Sequence, residues 1–104
     1  MDFAPVADVN VNPSCPVIGA MERSFSADTA VVAQCCGIWL QELGGMKVAG
    51  CMKHFPGHGS ASGDTHQGLV DVSGSWQEYE LAPYRSLIAS GSVPMVMVAH
   101  VVNS

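Results

Sequence analysis

The stretch Val48-Ala49-Gly50-Cys51-Met52-Lys53-His54-Phe55-Pro56-Gly57-His58-Gly59 changes character halfway along. Its first five residues form a short apolar run that reads as a buried strand ending at Met52. The run from Lys53 through Ser60-Ala61-Ser62-Gly63-Asp64-Thr65-His66 then gathers one lysine, three histidines, one aspartate and three glycines into a loop. A strand that empties into such a loop delivers polar groups to one edge of a parallel sheet, where binding and catalysis are commonly housed.

Outward from this stretch, the pattern alternates. Upstream, Ser26 can cap a helix, Asp28 suits its positive end, and Val32, Cys36, Trp39 and Leu43 recur on one buried stripe. Gly44-Gly45 stops that helix, and Gly37 within it implies close packing against a neighbour. Farther upstream, Phe3 to Val9 reads as a strand weakened by Pro5, with Asp8 and Asn10 at its far end. A turn-rich loop containing Arg23 connects the two.

Downstream, Ser75-Trp76-Gln77-Glu78 has the form of a capping box, and Pro83 starts a second helical piece buried by Leu87 and Ile88 and ended by Gly91. Pro94 to His100 is a continuous apolar run of the kind found where both sheet faces are covered. The order strand, helix, strand, helix, strand predicts an α/β fold of about three parallel strands with intervening helices. Loops after all three strands then emerge on one side, which makes that side the candidate active face.

Composition narrows the function. With 48% hydrophobic and 12% charged residues in a chain of 104, disordered and collagen-like classes are excluded. Nine acidic residues against four basic ones, with no basic patch, predict no nucleic-acid and no anionic-membrane partner. The four cysteines, Cys15, Cys35, Cys36 and Cys51, contain no C-x-x-C and read as buried free thiols in a reducing compartment. No leader and no apolar run near the roughly 20 residues of a membrane helix is evident, so a soluble cytoplasmic protein is expected.

Three chemistries compete for the central loop. A metal site from His54, His58, Asp64 and His66 would need two histidines four apart on one helix, but Pro56-Gly57 breaks that arrangement. A phosphate cradle lacks both G-x-x-x-x-G-K-[ST] and G-x-G-x-x-G. The third is an acid/base dyad in which Asp64 accepts from one nitrogen of His66 and the other nitrogen faces a substrate. From spacing alone, the pair serves equally well as a tie that fixes its own loop.

The chain resembles glycoside hydrolase family 3, in its bacterial beta-N-acetylhexosaminidase branch. The resemblance rests on Phe3-Ala4-Pro5-Val6-Ala7-Asp8-Val9, Pro16-Val17-Ile18-Gly19 with Arg23-Ser24-Phe25, Lys53-His54-Phe55-Pro56-Gly57-His58-Gly59 and Gly63-Asp64-Thr65-His66. It covers nearly the whole chain, and the K-H-F-P-G-H-G run followed by G-D-[ST]-H is highly specific. The resemblance implies a retaining hydrolase that removes terminal beta-linked N-acetylglucosamine, typically from recycled cell-wall muropeptides in the cytoplasm. It makes His66 the general acid/base, Asp64 its partner, and Arg23, Lys53 and His54 the sugar-binding residues. It implies no cofactor and no resident metal.

Thr65 stands where the branch usually has serine, which keeps the hydroxyl. The family's nucleophile is an aspartate on a later strand of a TIM (β/α)8 barrel, a fold that takes about 250 residues. Residues 1–104 therefore read as a partial barrel domain, roughly strands three to five, inactive alone and prone to self-association through unpaired strand edges. A truncated, non-catalytic carbohydrate-binding or assembly module is the alternative.

Overall fold

The computed structural model describes residues 1–104 throughout. Its centre is β1 (Cys51–Phe55), which pairs in parallel with β3 (Met95–Val98) on one side. On the other side β1 meets the N-terminal segment, again in parallel, through the Val6–Lys53 bridge. Three parallel backbones thus lie in the order N-terminal segment, β1, β3, in keeping with the α/β expectation. The expected strand over residues 3–9 is reduced to that bridge and a few flanking bonds, Cys51 N–H to Ala4 O, Lys53 N–H to Pro5 O and Ala7 N–H to Lys53 O. Pro5 has no N–H to offer, so the ladder is interrupted where the sequence hinted it would be.

The boundaries of β1 differ from expectation. The strand begins at Cys51 and runs through Lys53, His54 and Phe55, so the loop opens at Pro56. Backbone pairing rather than polarity decides this, because a strand tolerates charged residues at the end that leaves the core. Opposite β3, Lys53 pairs with Met97 and Phe55 with Val98, which leaves His54 as an extra residue in a bulge. Bulges free a backbone N–H from the ladder and re-aim a side chain.

Helix α1 spans Thr29–Gly45, and Asp28, not Ser26, is its N-cap, accepting from the Ala30 N–H at 2.9 Å. Ser26 acts one step earlier, accepting from the Asp28 N–H at 3.0 Å. The buried stripe is Val32, Cys36, Leu40 and Leu43, while Trp39 is exposed. The helix ends in a Schellman turn: Lys47 N–H reaches Gly44 O, Val48 N–H reaches Leu43 O, and Lys47 sits at φ 58°. The two glycines belong to the last helical turn, and a lysine takes the left-handed position.

A 3₁₀ turn (Glu78–Leu81) leads directly into α2 (Ala82–Ala89), with Pro83 in the first turn as expected. The cap lies two residues later than the sequence suggested: Glu80 Oε2 accepts from the Gln77 N–H at 2.7 Å. Ser75 and Trp76 instead donate their N–H groups to Val72 O, forming the turn that precedes it. In α2 the buried residues are Pro83 and Tyr84, whereas Ile88 faces outward. Leu87 packs against Gly37 of α1, where an added Cβ would lie 3.4 Å from its Cδ2, in agreement with the close approach read from Gly37.

A second small sheet pairs β2 (Val70–Asp71) with β4 (Val101–Val102) in parallel. Neither strand is among those expected from the sequence, and each is two residues long. The apolar core accordingly has two parts. The first joins Ala7, Val9, Val32, Cys36, Leu40, Met52 and Tyr84, and the second joins Cys15, Ile18, Ala61, Val70 and Val72 under the central loop. The apolar run at β3 is not covered on both faces: Val98 is 63% exposed and Val96 also faces outward. No helix is long and apolar enough to cross a membrane.

Candidate active site

Asp8 ends the N-terminal segment, which lies beside β1, so parallel pairing brings it to the same sheet edge as His54. Its side chain is fully buried and its carboxyl group takes three hydrogen bonds. Oδ1 accepts from the backbone N–H of His54 at 3.1 Å and of His58 at 2.8 Å, and Oδ2 lies 2.6 Å from His54 Nδ1. The first of these N–H groups is the one the bulge released. A carboxylate only accepts, so His54 carries its proton on Nδ1 and leaves Nε2 for a ligand. A buried charge is tolerated only with this degree of pairing.

Two other contacts hold the turn that follows. Trp76 Nε1–H donates to Pro56 O at 3.0 Å, and the Gly59 backbone lies so close to Val9 that an added Cβ would collide with the Val9 carbonyl. His58 is buried next to Cys15, whose thiol donates to His58 O at 3.3 Å. The rings of His54 and His58 stand 6.2 Å apart at 73°.

At the far end of the loop, Asp64 Oδ1 accepts from the His66 N–H at 2.9 Å and faces His66 Nδ1 at 3.0 Å. One carboxylate oxygen thus both ties the loop backbone and lies against the imidazole, a geometry compatible with either reading left open by spacing. These bonds to His66 hold the Asp64 carboxyl below the ordinary carboxylate range, the backbone bond contributing most. The His66 side chain is 89% exposed.

A cleft of about 360 Å³ collects these groups. Arg23, His54, His58, Thr65, His66 and His100 supply its polar wall, and Val17, Met97, Val98 and Ala99 its apolar one. That volume falls in the range of small-molecule sites, which are about 300–1,000 Å³. All four histidines of the chain line it, and no carboxylate does. A larger groove of about 810 Å³ between α1 and α2 has no ionisable side chain in its wall, so it offers no acid/base chemistry.

Of the residues singled out from sequence, Arg23, His54 and His66 share the cleft, and Asp64 stands behind His66. Arg23 is steadied by donation from Nη1 to Val17 O at 2.9 Å. Lys53 sits half-buried on β1 and is not among the lining residues. The candidate metal ligands His54, His58, Asp64 and His66 do not gather into a metal-binding group. Sequence reasoning missed the anchoring by Asp8 and the presence of His58 in the cleft. Only a coarse signal was available, since Asp8 and His54 fall near the ends of neighbouring parallel segments, whereas the clasp itself depends on the bulge at His54.

Comparison with known proteins agrees with this frame. Residues 1–104 match the glycosyl hydrolase family 3 N terminal domain. The beta-hexosaminidase LpqI of Mycobacterium tuberculosis is 43% identical over 106 residues, covering 96% of this chain and 26% of that protein. A family 3 beta-N-acetylglucosaminidase from a Paenibacillus species superposes with a TM-score of 0.86 at 40% identity, covering 97% of this chain and 19% of that one. NagZ from Neisseria gonorrhoeae, solved in complex with N-trifluoroacetyl-D-glucosamine, gives 0.82 at 36% identity, covering 97% and 30%. The chain thus spans less than a third of the length of each of these relatives. A match that takes in every residue from 1 to 104, together with a backbone shared with solved members, establishes that this chain belongs to glycoside hydrolase family 3, as part of its N-terminal domain.

Proposed function

We propose that this chain forms part of a retaining beta-N-acetylhexosaminidase, with His66 as general acid/base and Asp64 as its partner. The observation that carries the reading is the Asp64–His66 pair, 3.0 Å apart, on a cleft whose wall also includes Arg23 and His54. Retaining glycosidases ordinarily use two carboxyl groups, one of them as acid/base. An imidazolium held by Asp64 donates a proton to the departing glycosidic oxygen, and the neutral ring left behind then takes a proton from the attacking water. Protons balance over the cycle: one goes to the leaving alcohol, one returns from water.

Arg23 and His54 Nε2 are suited to the hydroxyls of a terminal N-acetylglucosamine, and Lys53, one residue from His54, would join them. The relatives' beta-hexosaminidase names and the sugar analogue in the NagZ complex support this substrate class. The nucleophile, an aspartate on a later barrel strand, would come from sequence beyond these residues, and the three parallel backbones would be about strands three to five of a (β/α)8 barrel. Cell-wall recycling in the cytoplasm is the setting we infer, and four unpaired thiols suit a reducing compartment.

The test is hydrolysis of a nitrophenyl beta-N-acetylglucosaminide. The longer enzyme should cleave it with retention of configuration and residues 1–104 alone should not. Turnover by the isolated chain, abolished by His66→Ala, would overturn the placement of the nucleophile beyond these residues, and turnover of the longer enzyme unchanged by His66→Ala would overturn the acid/base role. Binding of N-acetylglucosamine by a full-length protein that never cleaves it would favour a non-catalytic carbohydrate module instead.

A further inference from the structure

A second buried carboxyl group, besides that of Asp8, has no part in the chemistry above. Glu80 is fully buried in the 3₁₀ turn Glu78–Leu81. Oε2 accepts from the Gln77 N–H, while Oε1 is buried without a hydrogen-bond partner. Gly57 lies directly over it. At φ 131° the Gly57 backbone is in a region that favours glycine, and an added Cβ would stand 2.8 Å from Glu80 Oε1 and 2.9 Å from Glu80 Cβ. Ser60, also buried, lies near enough for its hydroxyl and backbone N–H to act on the Glu80 carboxyl group, lowering its pKa against the larger effect of burial.

The turn that Glu80 underlies is the one that sets the cleft histidines. His54 and His58 flank Pro56-Gly57, and both give a backbone N–H to Asp8. The same 3₁₀ region grips the turn a second time, through Trp76 Nε1–H to Pro56 O. The turn is therefore held both by Asp8 and by the Trp76 to Glu80 segment.

We propose that Glu80 is a positioning residue, whose carboxyl group, fixed by Gln77 and packed under Gly57, holds the Pro56 to Ser60 turn so that His54 and His58 keep their seats on Asp8. Burial, the dominant influence on this group, raises its pKa, against the lowering effect of the Gln77 and Ser60 hydrogen bonds, and the Asp8 charge adds to the rise. A neutral amide of the same shape can replace it; a shorter side chain cannot. The expected effect on catalysis rests on the glycosidase reading, but the seating of His54 does not.

The test uses the longer enzyme with Glu80→Gln, Glu80→Asp and Glu80→Ala, assayed below the melting temperature of each variant. Displacing reacting groups by about an ångström costs on the order of a hundredfold in rate. Glu80→Asp and Glu80→Ala should lower kcat by about tenfold to a hundredfold with KM changed less, and Glu80→Gln should restore most of the loss. The readout independent of activity is the proton on His54 Nδ1, whose short bond to Asp8 should give a far-downfield NMR signal. That signal should persist in Glu80→Gln and shift or broaden in Glu80→Asp. Wild-type kcat and an unmoved signal in Glu80→Asp would overturn the proposal, as would losses that only follow the unfolded fraction. If the parent enzyme proves to have no glycosidase activity, the NMR comparison alone decides the role of Glu80.

Discussion

Asp8 Oδ2 and His54 Nδ1 lie 2.6 Å apart across 46 positions of sequence. That single contact joins the N-terminal segment to β1 at the sheet edge and sets which nitrogen of His54 faces the cleft. Two backbone N–H groups share the same carboxyl, so removing it strands several buried donors at once.

Asp8→Ala should therefore destabilise the fold by about 2–5 kcal/mol, the cost of leaving buried polar groups and one member of a charged pair without partners. Asp8→Asn keeps one acceptor oxygen and should cost less. Urea denaturation followed by circular dichroism checks both, with the midpoint moving and the slope unchanged.

His66→Ala should behave in the opposite way. The side chain is 89% exposed, so stability should move by no more than about 0.5 kcal/mol. In the longer enzyme, turnover should fall by about 10²- to 10⁴-fold, the usual worth of a positioned acid/base. Thermal melting and steady-state kinetics on the same preparation separate the two effects.

Gly59→Ala should damage the fold without touching a reacting group. The added methyl meets the Val9 carbonyl, a backbone atom that cannot rotate away. Overpacking of this kind costs about 1–3 kcal/mol, and a drop in melting temperature measures it.

The two shifted carboxyl groups should give stability opposite pH dependences. Asp64, held low by its bonds to His66, contributes stability that is present above its unfolded pKa and lost as pH falls through its folded one. Glu80, raised by burial, favours folding most below its unfolded pKa, and stability declines as pH rises until its folded pKa is passed. Glu80→Gln should remove that second decline. Denaturation midpoints across pH 3 to 8, for wild type and variant, on the order of one pH unit apart, would reveal it.

The alternation of apolar and helical patterns was enough to read the three parallel backbones and both main helices, because periodicity reports which face is buried. Where packing chose between near-equals, sequence did not decide: Leu40 is buried while Trp39, one residue away, is exposed. Of the candidate site, Asp64–His66 and the Arg23 and His54 positions were legible as motif. The Asp8 clasp was not, because it depends on a bulge that makes His54 the extra residue opposite β3, and register is a property of two strands together. Val98 shows the remaining gap, as a run that looked doubly covered is open on one face of this chain.

The most direct test of His66 as acid/base compares two leaving groups in the longer enzyme. A dinitrophenyl N-acetylglucosaminide departs without needing a proton, whereas a sugar leaving group requires one. His66→Ala should slow bond cleavage of the sugar-linked substrate by about 10²- to 10⁴-fold and leave the first, glycosylation step on the dinitrophenyl substrate nearly intact. Equal losses on both substrates, or no loss on either, would contradict the account.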